Sequence, residues 1–381
     1  MQINRRDWLR AGLFMSAGIA AMPAGHCEPW LDDAGVNPYR VPKGGIKARL
    51  SANENPYGPS PKAVKAISES APDGFLYAME YGRKFKTMVA EFEGVPEDHV
   101  LLGAGSGELL MAAALWAAYR PSAGRTIVAP DPTFDALPRS AVKHGLTMDK
   151  VPLVAADGYD INLNKLNDRI TAQTGMVYLC NPNNPTAITV DPAKLRSFIG
   201  AVAAKTPVFV DEAYIDYTPN PAAYTMVDQV KKGANVIVTK TFSKVHGFAG
   251  LRIGYMIAKP ELIEQISKFV TGGGGISMTS VRAALASMPD KEFVKYSLGK
   301  TQESKDYLYK ELKPLGYEPL PSGANFVMFP IRMKGEDFVS KMTEQGVGIR
   351  QWKFDGQYWC RVSLGTMDQM KYFTDALKVI S

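Results

Sequence analysis

The stretch Met176-Val-Tyr-Leu-Cys-Asn-Pro-Asn-Asn-Pro-Thr186, followed by Pro207-Val-Phe-Val-Asp-Glu-Ala-Tyr214, decides the fold. Each opens as a short apolar run rich in β-branched and aromatic residues and breaks off into polar or Pro-rich punctuation, the signature of a strand buried on both faces. The same texture recurs at Val100–Leu102, Thr126–Ala129, Asn235–Thr239 and Ile253–Ile257. The segments between, among them Gly107–Tyr119, Asp191–Ala203 and Pro260–Val270, read as helices, the last with Ile263, Ile266 and Phe269 on one stripe. This alternation predicts an α/β fold, a mainly parallel sheet covered by helices on both faces.

Beyond about Ser280 the texture changes. A long charged helix is predicted over Lys291–Leu312, then strands at Asn325–Phe329 and Trp359–Leu364 flanking a helix at Glu336–Gln345, and a last helix at Met367–Val379. The expected organisation is a large domain over 61–280 and a smaller α+β domain over 281–381. Residues 29–60 form an N-terminal arm that includes the Pro/Gly-rich stretch Asn53–Pro61.

The composition is that of a globular chain: 381 residues, 46% hydrophobic and 22% charged, which excludes a disordered tail or a collagen-like rod. The net charge of +6 is spread along the chain, so nucleic acid is not expected as a partner. Three cysteines (Cys27, Cys180, Cys360) and four histidines show no zinc spacing, and no metal site is expected.

The first 28 residues read as an export signal of the twin-arginine type. Asn4-Arg-Arg-Asp-Trp-Leu-Arg10 precedes a weakly hydrophobic run, Ala11 to Ala24, too short to span a bilayer. The mature protein is therefore expected in the periplasm without stable membrane insertion. The alternative is an amphipathic helix on a cytoplasmic protein.

Four segments at predicted strand ends carry chemistry, and in an open parallel sheet that is where functional groups gather. Gly103-Ala-Gly-Ser-Gly-Glu108 lets a backbone approach closely and offers unpaired helix N–H groups to a phosphate. The prolines of Asn181-Pro-Asn-Asn-Pro185 direct Asn184 into the crevice. Asp211 closes an apolar strand and needs a cation to justify its burial. Thr241-Phe-Ser-Lys244, with Arg252 eight residues on, sets an amine beside hydroxyls and a second cation, which suits a lysine of lowered pKa that attacks carbonyls.

Together these motifs resemble the pyridoxal-phosphate enzymes of aspartate-aminotransferase-like fold. With Ser51-Ala-Asn-Glu-Asn-Pro-Tyr-Gly-Pro-Ser-Pro61, the chain is similar more narrowly to histidinol-phosphate aminotransferases, from about Arg40 onward. The resemblance implies that Lys244 holds the cofactor covalently and then shuttles the substrate's α-proton. Asp211 would pair with the pyridine nitrogen, Asn184 and Tyr214 with the ring's phenolic oxygen, and Phe134 with its face. Gly105, Ser106, Gly107, Thr241, Ser243 and Arg252 would hold the phosphate, with Tyr77 reaching it from a neighbouring subunit, so a homodimer with shared sites is implied. Asn53, Asn325, Arg350 and Arg361 would meet the substrate. The implied reaction moves an amino group from an amino acid or phosphorylated amine to a 2-oxo acid. The alternatives are a lyase of phosphothreonine-decarboxylase type and a non-catalytic binder of amino compounds. Two positions depart from the family pattern: Gly272–Gly275 replaces a Pro-aromatic-Asn segment, and His246 follows the lysine where small or aromatic residues are usual.

Overall fold

A computed structural model describes residues 45–120 and 124–380. The export signal and the first part of the arm lie outside the described residues. The central sheet has seven strands: β1 (Val100–Gly103), β2 (Thr126–Asp131), β3 (Thr147–Pro152), β4 (Thr174–Cys180), β5 (Val208–Asp211), β6 (Val236–Thr241) and β7 (Gly254–Ile257), in the order β1-β7-β6-β5-β4-β2-β3. Only β7 runs against its neighbours. The mainly parallel sheet expected from the sequence is therefore present.

Because side chains alternate across a strand, each strand feeds two cores. Val177, Leu179, Val208, Val210, Val236 and Val238 enter one, under the helices Met79–Glu93, Pro192–Val202 and Met278–Ser287. Met176, Tyr178, Phe209 and Ile237 enter the other, under Ser106–Tyr119, Ala136–Lys143 and Pro260–Ser267. A boundary after residue 280 falls inside the helix Met278–Ser287, whose Val281, Ala283 and Ala284 share the first core with Phe85.

The helix Lys291–Leu312 leads to a three-stranded antiparallel sheet of β8 (Phe326–Ile331), β9 (Arg350–Phe354) and β10 (Gln357–Ser363), ordered β9-β10-β8 and followed by the helix Met367–Ile380. The arm is stitched to this part: Ala48–Arg49 pairs in parallel with Val347–Gly348, and Ser363 N donates to Leu50 O at 2.8 Å. That ladder carries Asn53 to the carboxyl ends of the central strands.

Candidate active site

Strand register places the predicted segments side by side. Cys180 pairs with Asp211 across β4 and β5, and Asp211 with Thr239 across β5 and β6, so the ends of three adjacent strands open at one level. Period-2 alternation then splits the consecutive acids of Asp211-Glu-Ala-Tyr214. Asp211 shares a face with Phe209, and Glu212 turns to the other side, where its oxygens accept from Met226 N (2.6 Å) and Thr225 Oγ1 (2.7 Å), 3.7 Å from Lys240 Nζ.

Asp211 is buried and enters no ion pair among the described residues. Thr239 Oγ1 donates to it at 3.3 Å. Burial pushes its pKa up to about 6, opposed by that hydrogen bond and by Lys244. A carboxylate in this condition is matched to a cation supplied from outside the chain. Lys244 Nζ donates to Asn53 O at 3.1 Å and Ala52 O at 3.4 Å and lies 5.4 Å over the Tyr214 ring. Burial and the Arg361 charge lower its pKa to about 8, so a substantial neutral fraction exists near neutrality.

The Tyr214 hydroxyl accepts from Asn53 Nδ2 (3.0 Å) and Asn184 Nδ2 (3.4 Å), and burial holds it protonated by pushing its pKa up. Asn53, in a left-handed backbone conformation at φ 52°, is clasped by Ser363: its N–H donates to Ser363 Oγ at 2.8 Å, and that hydroxyl returns a bond to Oδ1 at 3.0 Å. Asn325 Nδ2 donates to Asn53 O at 3.0 Å, while its buried Oδ1 is left without a partner.

At the other end of the crevice the helix Ser106–Tyr119 begins at Gly105 without a side-chain cap, leaving its first N–H groups exposed to a ligand. Gly105 has φ 79°, and a Cβ there would run into the Arg252 guanidinium. Arg252 Nη1 also reaches Ser243 Oγ at 3.4 Å, and Thr241 Oγ1 donates to Ser243 Oγ at 3.0 Å. Backbone N–H groups, two hydroxyls and a guanidinium thus converge on one small volume, a cradle for a phosphate. With the free amine of Lys244 and the unpaired carboxylate of Asp211, this donor set fits pyridoxal phosphate. The bound group would supply an electron sink for the α-carbon of an amino compound.

Arg361 is 3% exposed. Its Nη1 donates to Asn184 Oδ1 at 2.6 Å and its Nη2 to Ser51 O at 2.7 Å, so the predicted substrate side and cofactor side share a hydrogen bond. Trp352 at 4.7 Å and Phe326 at 5.3 Å bracket the guanidinium. Burial lowers its pKa to about 9, with Tyr214 opposing and the Arg350 charge contributing. Arg350 stands directly opposite Arg361 across β9 and β10, and its buried Nε lacks a partner.

Two predicted residues stand apart. Tyr77 is 82% exposed beside the exposed Phe75, Leu76 and Met79, and touches none of the others. Phe134 is 38% exposed in the loop after β2, which Thr133 ties to the Asn-Pro loop through a 2.8 Å bond to Asn183. The departures from the family pattern also find places. His246 points away from the crevice, stacked on Phe242 at 4.3 Å and bonded to Ser287 at 2.9 Å. Gly272–Gly275 forms a 3-10 turn. Sequence reasoning missed Thr239, Ser363, Trp352 and Phe326. Thr239 could have been found, since it lies two residues before Thr241 and so on the same strand face. Among the described residues no cluster of acids, histidines and cysteines could hold a metal.

The sequence profile of aminotransferase class I and II matches residues 46–377. A histidinol-phosphate aminotransferase from Moorella thermoacetica is 35% identical over 338 residues, covering 87% of this chain and 85% of that protein. One from Halalkalibacterium halodurans is 33% identical, covering 84% and 85%. The crystal structure of histidinol-phosphate aminotransferase from Sinorhizobium meliloti in complex with pyridoxal-5'-phosphate superposes with a TM-score of 0.80 at 26% identity, over 88% of this chain and 92% of that one. The chain belongs to the class I and II aminotransferases. It is a pyridoxal-phosphate-dependent transaminase of aspartate-aminotransferase-like fold.

Proposed function

We propose that this transaminase takes a small phosphorylated primary amine of the histidinol phosphate class as amino donor and a 2-oxo acid as acceptor. One observation carries the reading. Arg350 and Arg361 face each other across β9 and β10, and neither forms an ion pair among the described residues. Two like charges held together without an acid repel each other unless a dianion enters between them. The relatives' names point to the same substrate class.

Mixing the cofactor-loaded enzyme with histidinol phosphate, without acceptor, is expected to convert the cofactor stoichiometrically to its amine form, read by absorbance. Arg350→Ala should then weaken kcat/KM for the phosphorylated amine by about 10–100-fold, the worth of one charge-assisted contact, and spare unphosphorylated amino acids. Arg361→Ala should weaken both. An equal response of all substrates to both changes would refute this division. Consumption of O-phosphothreonine with release of CO₂ would identify a lyase instead.

The assignments of Lys244, Asp211, Tyr214, Asn184, Phe134 and the phosphate cradle to one cofactor belong to this reading, as does a homodimer. The exposed apolar group Phe75, Leu76, Tyr77 and Met79 supports the dimer, since a contiguous patch of that kind suits burial against a second copy.

Export to the periplasm is part of the proposal and rests on Arg5-Arg6 and the run that follows. Asn184, Asp211, Lys244 and Arg252 meet only in the folded chain, so a route that carries folded proteins lets the cofactor be loaded before transport. Replacing Arg5 and Arg6 by lysine is expected to retain a folded, cofactor-bound precursor in the cytoplasm. Fractionation that still finds the variant outside would defeat the export reading.

A further inference from the structure

The described residues line a second, open cleft of about 820 Å³, away from the cofactor cradle. Its walls are the turn Asp216–Pro219 after β5, one face of the helix Lys291–Leu312 and the loop Pro319–Gly323 before β8. Tyr217, Leu298, Tyr309 and the prolines make it largely apolar.

Its cation is Lys305. This side chain is 6% exposed, donates to Ser322 O at 2.8 Å and enters no ion pair among the described residues. The adjacent Asp306 is exposed and takes a 2.7 Å bond from the Gln302 amide. Asp216, on the opposite wall, forms no ion pair among the described residues; burial raises its pKa, and the Lys240 charge opposes that rise. A buried ammonium with one fixed acceptor for three N–H groups is a costly arrangement, and an anion relieves it.

The helix carries a second sign. Gly299 lies in its interior, where glycine is disfavoured relative to alanine, yet an added Cβ would meet nothing within 4 Å. Packing does not require this glycine, which stands at the rim of the cleft.

We propose that the cleft binds a small amphipathic monocarboxylate, its carboxylate on Lys305 and its apolar body against Tyr217, Tyr309 and Pro321. A single charge is specified because the other donors are already used: Thr301 Oγ1 donates to Ser297 O at 2.8 Å and the Tyr309 hydroxyl to Leu320 O at 2.8 Å. This site is independent of the substrate reading above.

The test is calorimetric titration of the full-length, cofactor-loaded enzyme with 3-phenylpropanoate, in wild type, Arg361→Ala, Lys305→Met and Gly299→Leu. One binding event per chain should survive Arg361→Ala and weaken at least about tenfold in Lys305→Met. It should also weaken in Gly299→Leu, which adds a bulky side chain at the rim of the cleft, and inorganic phosphate should not compete. Without ligand, Lys305→Met should melt no lower than wild type, because it removes an unpaired buried charge. Binding that disappears in Arg361→Ala would place the probe in the active site only and overturn the proposal. Binding that persists in Lys305→Met would do the same, and so would displacement by phosphate. A clear drop in melting temperature for Lys305→Met would make the lysine a tie to Ser322 and nothing more.

Discussion

Lys244→Ala is expected to lose turnover by about 10³-fold or more, since in the proposed reading it would remove both the covalent anchor of the cofactor and the base that moves the substrate's α-proton. The geometry sets the expectation: Lys244 Nζ hangs from the Asn53 carbonyl at 3.1 Å, over Tyr214, where burial and the Arg361 charge bring its pKa down to about 8. Only the neutral amine attacks a carbonyl, so cofactor uptake by the cofactor-free protein should speed up with pH to about 8 and then level off. A rate that keeps climbing toward the ordinary lysine value would mean that Lys244 is solvated. Borohydride reduction should place the cofactor label on Lys244 in wild type, and label on another lysine would reject the assignment. The same variant tests the shared site: mixed with a Tyr77→Phe chain, it should form hybrid dimers holding one site with both residues intact. Activity that merely averages the two parents would indicate self-contained subunits.

Asp211→Asn should slow proton abstraction by about 10³-fold while leaving the cofactor bound, because the phosphate cradle of Arg252, Ser243 and the Gly105 turn is untouched. In the proposed reading the carboxylate would keep a ring nitrogen protonated, and an amide could not. Stability should move the other way. Burial raises the Asp211 pKa from 3.8 to about 6, so between those values the folded protein binds the proton that the unfolded chain releases. Stability contributed by this group is full below pH 4 and is lost as pH rises through 6. Above pH 6 the cofactor-free wild type therefore carries a cost of up to about 3 kcal/mol that the asparagine variant lacks. Melting of the cofactor-free proteins should show Asp211→Asn the more stable at pH 8, with the gap closing toward pH 4. A variant less stable at pH 8 would show that Asp211 is paired within the chain.

The strands of the central sheet that lie between two neighbours were legible because they are buried on both faces and therefore uniformly apolar, as in Val208-Phe-Val. Besides the two-residue pair Ala48–Arg49 and Val347–Gly348, the missed strands are edges. Thr147–Pro152 carries Asp149 and Lys150, and Arg350–Phe354 reads Arg-Gln-Trp-Lys-Phe; each has one side without a partner strand and tolerates polar residues there. The helix Lys291–Leu312 was legible to the residue, its Asp290 start and charged face marking it off.

The cofactor motifs could be read from sequence for a local reason: each is a strand end and the turn after it, and the alternation of strand residues already decides that Asp211 and Thr241 face one way and Glu212 the other. The sequence by itself therefore determined the fold class and the cofactor chemistry. Only tertiary structure decided what those residues touch. Asn53 meets Ser363 across 310 residues, Arg361 meets Asn184 across 177, and Lys305 faces its cleft because the distant turn Asp216–Pro219 packs against its helix. No local periodicity encodes such meetings, and burial, which sets the ionisation of Lys244, Asp211 and Arg361, exists only once the whole chain has packed.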